Sequence, residues 1–379
     1  HDSLSGQSRF MDDSYTFAMN ILFIIPSVKT GGGNRVFIEL ASRLSRDHEI
    51  TMLYPNNSTD KHTFAVSGNV RFVPVGKTAS GKIGKLINLW RTIRYANRRY
   101  ADWTTVYSDP LFALFAGWLK AKRKWRFVQA DDYRIFDDGM LLHGVFLKIY
   151  KWLCKRSFRS SRVRFIFNSR FVYERFCRDA GRTDVALRLV HPAIEQRIFT
   201  ATGRSGVDTG ICLIARKHPS KGLVTFLDVY HRLPEAVRDR VGPVTFVSHD
   251  DLSAFDLTGI EVVRPKNDME IADTYRKAGI FISTSWWEGF GLPPLEAMAC
   301  GCACIVSESG GVDEYVRAGE NCLTFPPRDE KTLEDRILVL LNDNVLRETL
   351  AKAGTATAQR FSWERSAEQF LAIVRDGQC

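Results

Sequence analysis

Short apolar runs, bounded by glycine, proline and polar residues, alternate along this chain with longer stretches whose apolar positions recur every three to four residues. "NILFIIPSV" (20–28) is almost continuously apolar, as a strand covered on both faces must be, and passes through "KTGGGN" into the helical pattern "RVFIELASRLSR". The strands "EITMLYP" and "NVRFVPV", the helix "KIGKLINLWRTIRYANRRY", the strand "WTTVYS" and the helix "LFALFAGWLKAK" follow. The alternation continues through "RFVQA", "MLLHGVFLKIYKWLCKRSFRSS", "RVRFIFNS" and "RFVYERFCRDAG". Residues 196–209 lose this periodicity and collect Thr, Gly and Ser, which marks a connection.

A second series then begins. "GICLIARK", a helix after "SKG", "PVTFVS", "IEVVRP", the helix "MEIADTYRKA", "GIFISTS" and a helix from Pro294 lead to "CACIVSES", a helix over "VDEYVRA", "CLTFPP" and a long amphipathic helix from about Glu330. "SWERSAEQFLAIVRD" closes as a further amphipathic helix with Ser362 as its N-cap. The pattern predicts an α/β protein of two Rossmann-like, doubly wound domains facing across a cleft: a polar, disordered tail over 1–18, a first domain over 19–200, a second over 201–360 and a C-terminal helix over 361–379. Ligands of such sheets sit outside the carboxyl ends of the strands.

Composition changes this picture little. A chain of 379 residues suits two domains, and 45% apolar with 25% charged residues is ordinary for a globular protein. The densest apolar window, "LFALFAGWL", is about half the roughly 18–20 residues that a membrane-spanning helix needs. The tail lacks the apolar core of a secretory signal. The eight cysteines form no C-x-x-C pair; Cys300, Cys302 and Cys304 read as small buried side chains entering a strand, with a metal cluster as the alternative, so the chain reads as cytoplasmic and reduced.

Charge adds more. Residues 1–200 carry 33 Lys and Arg against 17 Asp and Glu, whereas residues 201–379 carry 20 against 26. A basic half points to an anionic partner: nucleic acid, phospholipid headgroups or a phosphorylated substrate. The helices "KLINLWRTIRYANRRY" and "MLLHGVFLKIYKWLCKRSFRSSRVR" interleave aromatic and basic residues, a pattern suited to an anionic membrane surface or to sheet-covering helices with a basic outer stripe.

Four loops carry candidate chemistry. In "SWWEGFGLPPLEAMACG", Gly289 and Gly291 let backbone approach a ligand, and a helix begins at the prolines, where free amides attract phosphate. Glu288 and Glu296 stand on either side; carboxylates repel phosphate but accept hydrogen bonds from sugar hydroxyls, so together they suggest a nucleotide sugar. Glu296 also reads as a first-turn residue favoured by the helix dipole, and Glu288 as a solvated loop residue. "IARKHPSKG" offers Arg216 and Lys221 as a diphosphate clamp. "SVKTGGGNR" places Gly31, Gly32 and Gly33 between strand and helix without the spacing of a Walker or dinucleotide loop. "SESGGVDEYV" repeats strand, diglycine, helix, with Glu314 as a brace.

In this order, "GGGN", "AR" with "SKG", "EGFGLPPLE" and "ESGGVDE", together with "IFNSRF", "LVHPAIEQRIF" and "FSWERSAEQFL", resemble the retaining family-4 glycosyltransferases of the GT-B fold over most of residues 19–375. The resemblance implies that Arg216 and Lys221 bind the donor diphosphate with amides around Gly32 and Gly33. It implies that Glu288 and the amides of Gly289, Phe290, Gly291 and Leu292 hold the transferred sugar, and that Glu296 takes the ribose hydroxyls. It further implies a final helix crossing back to the first domain, a nucleotide-diphosphate sugar as co-substrate with no other cofactor, and a saccharide or lipid-linked acceptor. The expected product is a surface polysaccharide or glycan, made in the cytoplasm or on the inner face of the plasma membrane.

Where the family often has a cleft-facing His, "RFVQADDYRIF" offers Gln129, Asp131 and Asp132. Asp131 and Asp132 are candidates for orienting or deprotonating the acceptor, or for structural roles. Asp131, Asp132, Asp137 and Asp138 lack D-x-D spacing, and no metal is expected. The rival readings are a sugar-nucleotide epimerase on the same fold and, more distantly, a basic nucleic-acid-binding protein, for which no module is visible.

Overall fold

The computed structural model describes residues 18–28, 32–57, 68–79, 81–137, 142–160, 162–202 and 207–376. The expected tail up to residue 17, and with it Gly31, Asp138 and Cys379, lies outside the described residues.

The first half builds a parallel sheet from β1 (Asn20–Ile24), β2 (Glu49–Asn57), β3 (Val70–Ala79), β4 (Thr104–Tyr107), β5 (Arg123–Val128) and β6 (Arg164–Phe167), in the order β3-β2-β1-β4-β5-β6. Its helices are α1 (Gly32–Leu44), α2 (Lys82–Arg99), α3 (Pro110–Phe115), α4 (Gly144–Phe158) and α5 (Arg170–Ala180). The second sheet contains β7 (Val207–Ile214), β8 (Val244–Val247), β9 (Ile260–Val263), β10 (Ala278–Ser283), β11 (Ala303–Ser307) and β12 (Leu323–Phe325), in the order β12-β11-β10-β7-β8-β9. With it run α6 (Leu223–Arg232), α7 (Glu235–Arg238), α8 (Asp268–Lys277), α9 (Leu292–Ala299), α10 (Glu330–Asn342), α11 (Asn344–Ala358) and α12 (Trp363–Asp376). Counted within its own half, each sheet has the same strand order. Each therefore reverses direction at one point, between β1 and β4 and between β7 and β10. Loops leaving the strands there diverge and open a crevice.

The apolar strands are covered on both faces: every residue of β4 and β11 is buried. Helix starts are set by short polar side chains. Asp109 accepts from the Phe112 amide, Ser169 from Val172, Asn267 from Glu270 and Ser362 from Arg365. Cys300, Cys302 and Cys304 are buried in the second core.

Three elements differ from the sequence pattern. The helix expected from Glu330 is two helices, because Asp343 turns its carboxylate back to the Leu346 amide and restarts the chain in extended geometry. "VDEYVRA" forms only a 3₁₀ turn over Gly311–Glu314, where Glu314 and the Tyr315 hydroxyl are drawn inward to partners elsewhere. "LFALFAGWLKAK" is helical only to Phe115; a 3₁₀ turn, Ala116–Trp118, follows at Gly117, a poor helix former.

The chain crosses between halves earlier than the composition shift suggests. Val190 and Ala193 pack in the first core, whereas Ile194 and Phe199 already belong to the second. It crosses again before α12, whose Trp363, Phe370 and Val374 are buried in the first core with Phe23 and Phe37. The two crossings lie side by side: Ile194 bridges to Ser362, and the Gln196 side-chain amide donates to the Gln359 carbonyl at 2.9 Å.

Candidate active site

A cavity of about 510 Å³ opens where the two reversal points face each other. From the first half come the α1 start (Gly32, Gly33, Asn34), the β4 exit (Ser108, Asp109) and the β5 exit (Gln129, Asp132); from the second, Arg216 after β7, Lys221 and the loop 283–294 after β10. This is the place that the strand order designates.

The loop after β10 is shaped by two glycines. An added Cβ on Gly289 would lie 2.0 Å from the Gln129 carbonyl oxygen of the other half, so only glycine lets the halves meet there. Gly291 has φ of +82° and caps α9, and its carbonyl accepts from the buried Tyr315 hydroxyl. Pro293 and Pro294 bring no N–H to the helix start. The amides of Gly289, Phe290, Gly291 and Leu292 remain, without a backbone partner among the described residues. Opposite them, α1 begins at Gly32 with no acidic residue in its first turn. Two backbone surfaces rich in amides thus face one space.

The two cations stand on the second half's wall. Lys221 Nζ donates to Glu288 Oε1 at 2.6 Å, and the Ser285 hydroxyl donates to the same oxygen at 2.7 Å. The Lys221 carbonyl accepts from Thr284 Oγ1 at 2.9 Å, which fixes this turn against the end of β10. Arg216 Nε donates to Asp250 at 3.0 Å, with the terminal guanidinium nitrogens extending beyond that contact. Against the pull of burial, the Lys217 amide and Arg216 hold the Asp250 carboxyl below its usual range, so it remains an anchoring anion. The clamp expected from sequence has both members beside the cavity.

The candidate carboxylates divide. Glu288 lines the cavity. Glu296 does not. It is buried, accepting from Arg35 Nη1 and from the Tyr275 hydroxyl, each at 3.3 Å, while Arg35 Nη2 reaches Asp268 at 2.7 Å. Burial, partly offset by Arg35, pushes Glu296 up to about 7. In this structure a first-domain arginine, rather than the cavity, meets the Glu296 carboxylate. Asp132 lines the cavity yet is tied at 2.7 Å to the fully buried Arg126, and burial pushes it up to about 6 despite that cation. Asp131 is not among the residues lining the cavity and pairs with Arg134 at 2.8 Å.

Contacts that sequence reading missed close the cleft. Ser169 Oγ donates across it to the Gly289 carbonyl at 2.6 Å, while within the first half Asn168 Nδ2 donates at 2.8 Å to the Gln129 carbonyl that Gly289 approaches. Glu314 accepts from the Arg170 amide at 2.6 Å and bonds His191 at 2.8 Å, joining second-half loop, first-half helix and crossing segment. "IFNSRF" was a visible motif, but nothing local in it indicates a partner 120 residues away.

Residues 196–357 match the family model described as glycosyl transferases group 1. A curated relative, the uncharacterized glycosyltransferase MJ1178 of Methanocaldococcus jannaschii, is 36% identical over 110 residues, which cover 29% of this chain and 31% of the relative. The chain thus spans about a third of the length of the curated relatives it matches. Among solved structures, sucrose-phosphate synthase from Thermosynechococcus elongatus superposes with a TM-score of 0.76 at 18% identity, covering 94% of this chain and 98% of that one. HepE of Anabaena, in complex with UDP-glucose, gives 0.71 at 17% identity, covering 94% and 100%. At such identities the likeness speaks for the fold. Residues 196–357, most of the second half, thus match the group 1 glycosyltransferases, and the two facing halves together have the GT-B fold.

Proposed function

We propose that the chain transfers a sugar from a nucleoside-diphosphate sugar to a saccharide or lipid-linked acceptor, with retention of configuration and without a metal. The carrying observation is that Arg216, Lys221 and the amides of 289–292 stand on one wall of a cavity whose other wall is the amide-rich start of α1. Two cations and a row of backbone amides are thereby gathered between two sheet reversal points. UDP-glucose bound to HepE supports the same donor class.

As the bond between the sugar's anomeric carbon and the diphosphate oxygen breaks, charge grows on the leaving group; Arg216, Lys221 and the loop amides stabilise it in place, without reorganisation of water. The acceptor oxygen bonds the same face of the anomeric carbon, and its proton passes to the departing phosphate oxygen. Glu288, which holds Lys221 before donor arrives, accepts sugar hydroxyls once the phosphate takes over the lysine. Asp132 orients a hydroxyl at the first-domain wall, and Asp131 braces it through Arg134. The free thiols fit a reducing, cytoplasmic setting.

A melting-temperature panel of UDP, GDP, dTDP and ADP tests the donor seat. A ligand at 100 times its Kd adds about 2.7 kcal/mol to apparent stability. One of the four should raise the melting temperature in the unaltered chain and fail to do so in Arg216→Ala/Lys221→Ala. No response to any diphosphate defeats the reading, and conversion of donor alone into an epimer replaces transfer by epimerisation.

A further inference from the structure

We infer that one side of the first domain, formed by the outer faces of α2, α3 and α4, docks on an anionic lipid bilayer. The large apolar side chains left exposed are unevenly placed. Ile83, Leu86 and Trp90 stand out from α2, Trp118 from the turn after α3, and Phe146 and Trp152 from α4; Ile83 is 76% exposed, Phe146 74%, Trp152 61% and Trp118 59%. In the second domain exposed large apolar residues occur singly, as at Val224, Met269 and Val345, which is normal for a soluble surface.

The three helices belong to one side. α2 and α3 share a core cluster, α3 packs on α4, and α1 and α12 cover the opposite face of the sheet. Charge identifies the occupant. α2, α3 and α4 together contain ten Lys and Arg and not one Asp or Glu. Arg94 lies over the Trp90 ring at 5.3 Å and Arg156 over Trp152 at 5.8 Å, which pairs a guanidinium with an exposed ring on each of α2 and α4, the combination that suits a headgroup boundary. A second copy of this chain docked face to face would set these cations against themselves. Nucleic acid would match the charge but leave Ile83, Leu86 and Phe146 in water. A bilayer with acidic headgroups takes both, the aromatics entering the acyl boundary and the cations meeting phosphate. No described helix is long and apolar enough to cross the bilayer, so the contact lies on its surface.

The face adjoins the cleft: Pro110, at the start of α3, lines the cavity, and its neighbour Leu111 is exposed. An acceptor carried in the membrane would reach the cavity from this edge. Docking itself does not depend on the transfer reading.

Vesicle flotation tests it with the unaltered chain. Phosphatidylcholine vesicles containing phosphatidylglycerol should carry the protein, and pure phosphatidylcholine should not. Raising salt from about 0.1 to 1 M, which shortens the screening length from about 10 to 3 Å, should release it. Lys148→Glu/Lys155→Glu should weaken binding by at least fivefold per residue, about what one basic side chain contributes near an acidic surface. Brominated acyl chains should quench tryptophan emission in the unaltered chain, and less in Trp152→Ser. These side chains are exposed, so unchanged melting temperatures should accompany both variants; the lipid-charge, salt and bromine arms need no variant. Equal flotation on both vesicles, no flotation, absence of quenching, or binding to a soluble polyanion alone overturns the proposal.

Discussion

Replacing Glu296 by Gln sets two effects of opposite sign against each other. The substitution keeps the shape and an acceptor oxygen for Tyr275 but removes a charge from a site closed to water. Breaking a buried ion pair costs about 3–5 kcal/mol when it strands the partner. Arg35 would not be stranded, because its other terminal nitrogen keeps Asp268 at 2.7 Å. Desolvation acts the other way, raising Glu296 from 4.5 to about 7. A shift of that size corresponds to about 3 kcal/mol between the two protonation states. Because the folded value lies above the unfolded one, this stability is fully present below pH 4.5 and is lost as pH rises through about 7. Gln has no such dependence. Glu296→Gln should therefore match the unaltered chain within about 1 kcal/mol at pH 5 and exceed it by up to about 3 kcal/mol at pH 8. At about 1–2 °C per kcal/mol for a chain of this length, calorimetric melting at pH 8 should show a gain of roughly 3–6 °C. Groups remote from Arg35 are common to both proteins, so the difference reports this carboxyl together with Asp268 and Glu39, which share that arginine. Parallel melting curves across pH, or a variant less stable at pH 8, would show that the Arg35 contact outweighs desolvation and refute the reasoning.

Lys221→Ala should lower turnover by about 10²–10³, the usual loss on removing one preorganised stabiliser of developing charge, with little change in melting temperature; product formation under saturating donor measures it. Gly289→Ala places a methyl 2.0 Å from the Gln129 carbonyl, so small-angle scattering should report a more open molecule and sugar transfer should fall; an unchanged radius of gyration would count against the close approach. Against the pull of burial, His191 and the Arg170 amide hold Glu314 below its ordinary value, so its contribution is present above about pH 4.5 and is lost as pH falls through the folded value. Glu314→Gln should thus melt below the unaltered chain at pH 7, with the gap closing in acid, and pH-resolved melting checks it.

The sheets were legible because burial on both faces leaves an unbroken apolar run, as in "NILFII" and "GIFIS", and the cavity loops because glycine and proline mark strand exits. Arg216, Lys221, Glu288 and Gly33 all lie where those exits meet. What escaped is non-local. Arg35 and Glu296 are 261 positions apart, and Ser169 meets Gly289 across 120; nothing in local periodicity specifies a partner at that distance. Glu296 reads as a sugar-hydroxyl acceptor from its place across the loop from Glu288 and from the family resemblance, whereas its partner here is Arg35 in the seam between halves, which no local pattern specifies. The break at Asp343 escaped for a different reason: its apolar periodicity runs on through a capping aspartate, and three-to-four spacing does not register one extended residue.

The burial of Trp363, Phe370 and Val374 in the first core has a consequence for biosynthesis. Roughly 200 residues separate β6, the last strand of that core, from the helix that completes it, an interval of about 10–40 s at ordinary ribosomal speeds. Through that time the nascent first half carries an unfilled apolar trench, and vectorial folding gives way to a final docking step. Chaperone occupancy on translating ribosomes should persist until α12 has emerged from the exit tunnel.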